Sequence, residues 1–171
     1  MDTTPVTGHV IIDTEALASF ADRNPFTLTA LPSVCEKLGL RLHVLKTGDD
    51  GYLAHGHPWN EDTATTTLRR NESCTCSLNG CIRDAVLSRT ESEAYIITVI
   101  AAADSICLAT YADRIFAAGA ARNACELRQY PHHPVAQWTD VERVITSLKT
   151  TEHMTPRRQA RLQRMDALKS E

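Results

Sequence analysis

His9-Val10-Ile11-Ile12-Asp13 is the stretch on which the fold turns: three aliphatic residues in a row, preceded by a histidine and closed by an acid. A run this short and apolar fits a strand covered on both faces, as in parallel sheets, rather than an alternating strand with one wet face. Thr14 and Glu15 then open a stretch in which Ala16, Leu17 and Phe20 recur at helical spacing, and Asn24-Pro25 punctuates it. A second helix is expected from about Pro32 to Leu38, with Gly39 where helices commonly stop. Leu40-Arg41-Leu42-His43-Val44-Leu45 alternates apolar and polar residues and reads as a second strand. Strand, helices and strand in that order predict a parallel pair. The expected fold class is therefore α/β: a small, mostly parallel sheet flanked by helices, with a C-terminal helical extension.

Further along, the pattern is less regular. Residues 46–71 are rich in Gly, Asp and Thr and favour loop or short elements. Tyr95-Ile96-Ile97-Thr98-Val99-Ile100 is β-branched and reads as a third strand. From Ser105 to Leu127 the chain is alanine-rich and reads as helix, with Gly119 as a point of interruption. Pro131-His132-His133-Pro134 reads as an exposed turn, and a helix follows over residues 139–148 with Thr139 as its cap. The last helix, residues 156–169, is basic. These readings divide the chain into an α/β domain over residues 1–130 and a helical extension over 135–171.

The 171 residues are 43% hydrophobic and 23% charged, which suits a chain that buries a real core, and the formal charge of −3 selects no class of partner. Met1-Asp2-Thr3-Thr4-Pro5 lacks the positive and apolar regions of a secretory signal, so the expectation is a cytoplasmic protein whose six cysteines stay reduced. Residues 94–112 are apolar enough to consider as a membrane span. Asp104 at the centre would cost roughly 3 kcal/mol in a bilayer, so the stretch reads as buried core and no membrane partner is expected.

Asp13 is the most informative single residue. In parallel α/β sheets ligands sit outside the carboxyl ends of strands, and a carboxylate there is tolerable when it is solvated, paired or holding a metal. Two roles stand side by side: a cap for the helix that follows, or a member of a site.

Val10-Ile11-Ile12-Asp13-Thr14-Glu15-Ala16-Leu17 resembles the opening of the PIN-domain ribonucleases, in which a strand ends in aspartate, then a small hydroxyl residue, then a helix. Asp49 or Asp50 falls where that family has its next acidic residue. Ala103-Asp104-Ser105-Ile106-Cys107 is similar to the family's aspartate at the head of an alanine-rich helix, and Asn123 falls near its last polar position. The middle of the chain, about residues 51–91, does not match. The resemblance implies an endoribonuclease in which Asp13, Asp49 or Asp50, and Asp104 hold Mg²⁺ or Mn²⁺. Such an ion generates hydroxide and offsets the charge that develops on phosphate.

A second, non-catalytic reading starts from Cys74, Cys76 and Cys81 with His57 ahead of them. Thiolates and imidazole together favour Zn²⁺, although Cys-x-Cys-x₄-Cys is not a common zinc spacing; the bland alternative is reduced cysteines packed as small hydrophobes. Arg157, Arg158, Arg161 and Arg164 make the last helix a candidate contact for RNA or an acidic protein. Equally, Leu162, Met165 and Leu168 suit a helix that docks on the domain. Together these features describe an accessory factor that binds nucleic acid or protein, with a zinc-stapled loop.

Overall fold

The computed structural model describes residues 8–45, 51–55, 65–67 and 95–150. Seven strands form one sheet: β1 (Gly8–Asp13), β2 (Leu40–Leu45), β3 (Gly51–His55), β4 (Thr65–Thr67), β5 (Tyr95–Ile100), β6 (Arg114–Ala117) and β7 (His133–Pro134). Their order is β4-β3-β2-β1-β5-β6-β7. The five strands from β2 to β7 along that order run parallel, while β3 and β4 add an antiparallel edge beside β2. The fold is α/β. Four α helices lie among the described residues: α1 (Thr14–Arg23), α2 (Thr27–Lys37), α3 (Gly119–Leu127) and α4 (Trp138–Thr150). A 3₁₀ helix, Ala103–Tyr111, follows β5.

β1 is central and buried along its whole length. Its first residue must be small: a Cβ on Gly8 would stand 2.7 Å from the carbonyl oxygen of Tyr95. Alternation along the strands divides the interior into two layers. Val10 and Ile12 pack with Leu42, Val44, Ile97 and Val99 under α1, α2 and α4, which contribute Phe20, Leu31 and Ile145. On the opposite face Ile11, Ile96, Ile100 and Ile115 pack under the 3₁₀ helix and α3, through Leu108, Ala121 and Cys125. Each fully buried aliphatic side chain contributes roughly 1.5–3 kcal/mol, so β1 with Val10, Ile11 and Ile12 and β5 with Ile96, Ile97, Val99 and Ile100 anchor both layers.

Several expectations shift. α2 begins at Thr27, five residues before Pro32, its expected start. A proline fits the first turn best, but Pro32 lies inside this helix and is buried there. The helix does end as expected: Gly39 has φ of 70° and its N–H donates to the carbonyl of Glu36. The stretch from Ser105 to Leu127 is not one helix. It divides into the 3₁₀ helix, the strand β6 and the helix α3, because Ile115, Phe116 and Ala117 fill both faces of the sheet beside β5.

The turn expected at 131–134 is instead a short edge strand, with Phe116 and Ala117 of β6 as register partners of His133 and Pro134. Val135, Trp138, Val141 and Ile145 belong to the main core, so the first part of the expected extension is integral to the α/β domain. Residues 151–171, where the basic helix is expected, lie outside the described residues. No helix among the described residues is long and apolar enough to cross a membrane, and the apolar stretch weighed for that role is β5 with the 3₁₀ helix.

Candidate functional site

Counting only the parallel strands in chain order, the sheet runs 2-1-3-4-5. The chain leaves β1 toward β2 on one side and returns to β5 on the other. The switch point therefore lies between β1 and β5, and open sheets of this kind bind ligands outside the carboxyl ends of the strands there.

Asp13 stands at that point. It has no exposed surface. Oδ1 accepts from the N–H of Ala16 at 2.8 Å, which caps α1. Oδ2 accepts from the N–H groups of Ala101 and Ala102 and from the Ser105 hydroxyl, each at 2.9 Å. Burying a carboxylate is costly unless donors take up its lone pairs, and four do. One side chain thus joins the end of β1, the start of α1 and the segment leading from β5 into the 3₁₀ helix. Of the two roles open to Asp13 in the sequence, the cap is the one seen here, and it lies at the switch point.

The main chain of Asp104 lies in the same segment, one residue before Ser105. Asp49 and Asp50 fall in a connection outside the described residues, whose two ends are fixed: Leu45 pairs with Tyr52 across β2 and β3, and with Asp13 across β2 and β1. Cys74, Cys76, Cys81 and His57, and the arginines 157, 158, 161 and 164, also lie outside the described residues. Asn123 is exposed on α3. Among the described residues no three His, Cys, Asp or Glu side chains gather as a metal cage.

Other polar residues were not singled out from the sequence. His9 and His43, on adjacent strands, are buried and share a 2.8 Å hydrogen bond between Nδ1 and Nε2, so one ring donates and the other accepts. Thr98, between Ile11 and Ile115 in register, is buried on the same face. The strand alternation predicts which face these residues occupy, but not that polar groups would be buried there. Asp113 is also buried, with Oδ2 accepting from the Ile96 N–H at 2.7 Å. Cys35 and Cys125 are buried in the two cores and Cys107 is half-buried.

The chain matches no protein-family model and no curated protein.

Proposed function

We propose that the protein is a metal-dependent hydrolase of the PIN-like kind that cleaves RNA phosphodiesters at the carboxyl edge of its sheet. What supports the reading is one observation: all three acidic segments leave from that edge. β1 ends in Asp13, the connection with Asp49 and Asp50 starts and returns beside it, and the segment bearing Asp104 is bound by it. Asp13 does not fit as a metal ligand in this arrangement, since its carboxylate is enclosed by four donors. Its part is positioning, and Asp104 with Asp49 or Asp50 are the carboxylates for the ion. Mg²⁺ or Mn²⁺ bound there would supply hydroxide and offset charge on the phosphate.

The test is cleavage of a single-stranded RNA by the full chain with Mg²⁺ or Mn²⁺. Asp104→Asn is expected to abolish cleavage at unchanged melting temperature. RNA left intact by the wild-type chain with either ion, or Asp104→Asn cleaving as well as wild type, rejects the reading.

The enclosure of Asp13 favours a second reading, in which the same clamp is purely architectural and the protein is a non-catalytic accessory factor. That reading expects RNA or protein binding weakened by removal of Arg157, Arg158, Arg161 and Arg164, with no cleavage under any metal.

A further inference from the structure

At the opposite end of the strands, where β5, β6 and β7 begin, a cavity of about 410 Å³ is lined by the apolar Ile115 and Pro131, by Tyr95, and by Arg114, His132 and His133. The Arg114 guanidinium is held in place there: Nε donates to the Tyr95 hydroxyl at 3.1 Å and Nη1 to Nε2 of His133 at 3.4 Å. Neither partner is acidic, so this half-buried cation is not matched by a carboxylate among the described residues.

The two imidazoles are fixed as well. Nδ1 of His132 donates to the Tyr130 carbonyl at 2.8 Å, which leaves Nε2 as the ring nitrogen for a ligand. His133 stacks on Phe116 with ring centroids 5.2 Å apart. Asp113 also lines the cavity, but its Oδ2 is engaged by the β5 backbone at Ile96. Burial holds the His133 ring below its ordinary pKa, and Arg114 and His132 push it further the same way, which favours the neutral ring whose Nε2 accepts from Arg114.

A guanidinium with no carboxylate hydrogen-bonded to it among the described residues, set with two imidazoles in a cavity, suits an oxyanion. The Arg114 N–H groups that neither Tyr95 nor His133 takes up donate to such a group, and Nε2 of His132, a lone pair in the neutral ring, accepts from the hydroxyl that a phosphate monoanion carries and a carboxylate lacks. A cavity of this volume exceeds what one inorganic anion fills, and Tyr95, Ile115 and Pro131 in its lining suit an organic body.

We propose that Arg114, His132 and His133 form a binding site for the phosphate group of a small organic molecule. The site is independent of the proposed nuclease centre. Gly8 pairs with Tyr95, and Asp13 lies at the other end of β1, roughly 17 Å away at the usual rise per residue.

Isothermal titration calorimetry on the full chain tests this with inorganic phosphate, ribose 5-phosphate and acetate as probes. Saturable binding of both phosphates is expected, tighter for ribose 5-phosphate and weak or absent for acetate. Arg114→Gln should weaken it at least about tenfold, the worth of one charge-assisted contact. His132→Gln should weaken it by a smaller factor, and serves as the readout if Arg114→Gln does not fold. Arg122→Gln, whose guanidinium pairs with Glu126, should bind like wild type. No saturable binding of either phosphate up to about 10 mM, acetate binding as tightly as the phosphates, or affinities unmoved by both Arg114→Gln and His132→Gln overturns the site. Binding of inorganic phosphate with ribose 5-phosphate excluded overturns the organic ligand.

Discussion

The carboxylate of Asp13 and the hydroxyl of Ser105, 92 residues apart in the chain, meet at 2.9 Å in the interior. Ser105 is itself fully buried. Its hydroxyl is one of four donors on Asp13, so Ser105→Ala removes a single hydrogen bond to a carboxylate and leaves three. The expected cost is about 1.5–3 kcal/mol. Asp13→Asn is worse, because its amide turns a donor toward a group that is already a donor. Urea titration should give a lower midpoint for both variants, larger for Asp13→Asn, with the slope unchanged.

The buried hydrogen bond between His9 and His43 couples two strands through side chains. His43→Leu alone removes the group that meets Nδ1 of His9, at an expected cost of about 1–3 kcal/mol. His9→Leu combined with His43→Leu should cost less than the sum of the two single changes. A double-mutant cycle measured by denaturant unfolding reads the coupling, expected at about 0.5–3 kcal/mol.

Thr98 presents the opposite situation. Its Oγ1 is buried and has no hydrogen-bond partner among the described residues. Thr98→Val keeps the shape and the β-branching while removing the stranded hydroxyl. The variant is expected to be more stable by about 1 kcal/mol, read as a higher urea midpoint. An unchanged or lower midpoint means the hydroxyl has a use.

What was legible in the sequence was governed by local pattern. The apolar run 9–13, the alternation of 40–45 and the β-branched run 95–100 specify strands by themselves, and Gly39 marks a helix end through its backbone freedom. Arg114-Ile115-Phe116-Ala117 was not legible, because alanine-rich flanks suit a helix and only the free edge of β5 selects a strand. β7 has no local signature for the same reason: two residues, one of them a proline, carry no periodicity, and only pairing with Phe116 and Ala117 makes them a strand. The position of Asp13 at a strand end was readable. Its distant donors were not, since Ala101 and Ala102 donate backbone N–H groups, which leave no trace in sequence, and the Ser105 hydroxyl comes from 92 residues away.

Cys35, under the sheet on α2, should be chemically silent. Burial pushes its thiol up to about 12, and Glu142 adds to the shift. The thiolate is the reactive form, so native protein at mildly alkaline pH should not be alkylated at Cys35 by iodoacetamide. Unfolding in guanidinium should expose it fully. Peptide mass spectrometry of the two samples makes the comparison, and native labelling at Cys35 would place this residue nearer the surface than its 1% exposure allows.

His133 links stability to pH in a defined direction. Burial first, then Arg114 and His132, lowers its pKa below the ordinary value of 6.5. The unfolded chain therefore takes up this proton before the folded one does. The resulting stability is fully present above pH 6.5, and it is lost as pH falls from there to the lower folded-state value, below which the contribution is constant. His133→Gln removes this dependence and leaves that of every other group. Urea midpoints of wild type and His133→Gln, taken between about pH 7.5 and 5.5 in a phosphate-free buffer, should differ in slope, with the wild type falling more steeply toward acid. Parallel curves would mean that the His133 ring titrates alike in the folded and unfolded chains, and that the Arg114 guanidinium does not bear on it.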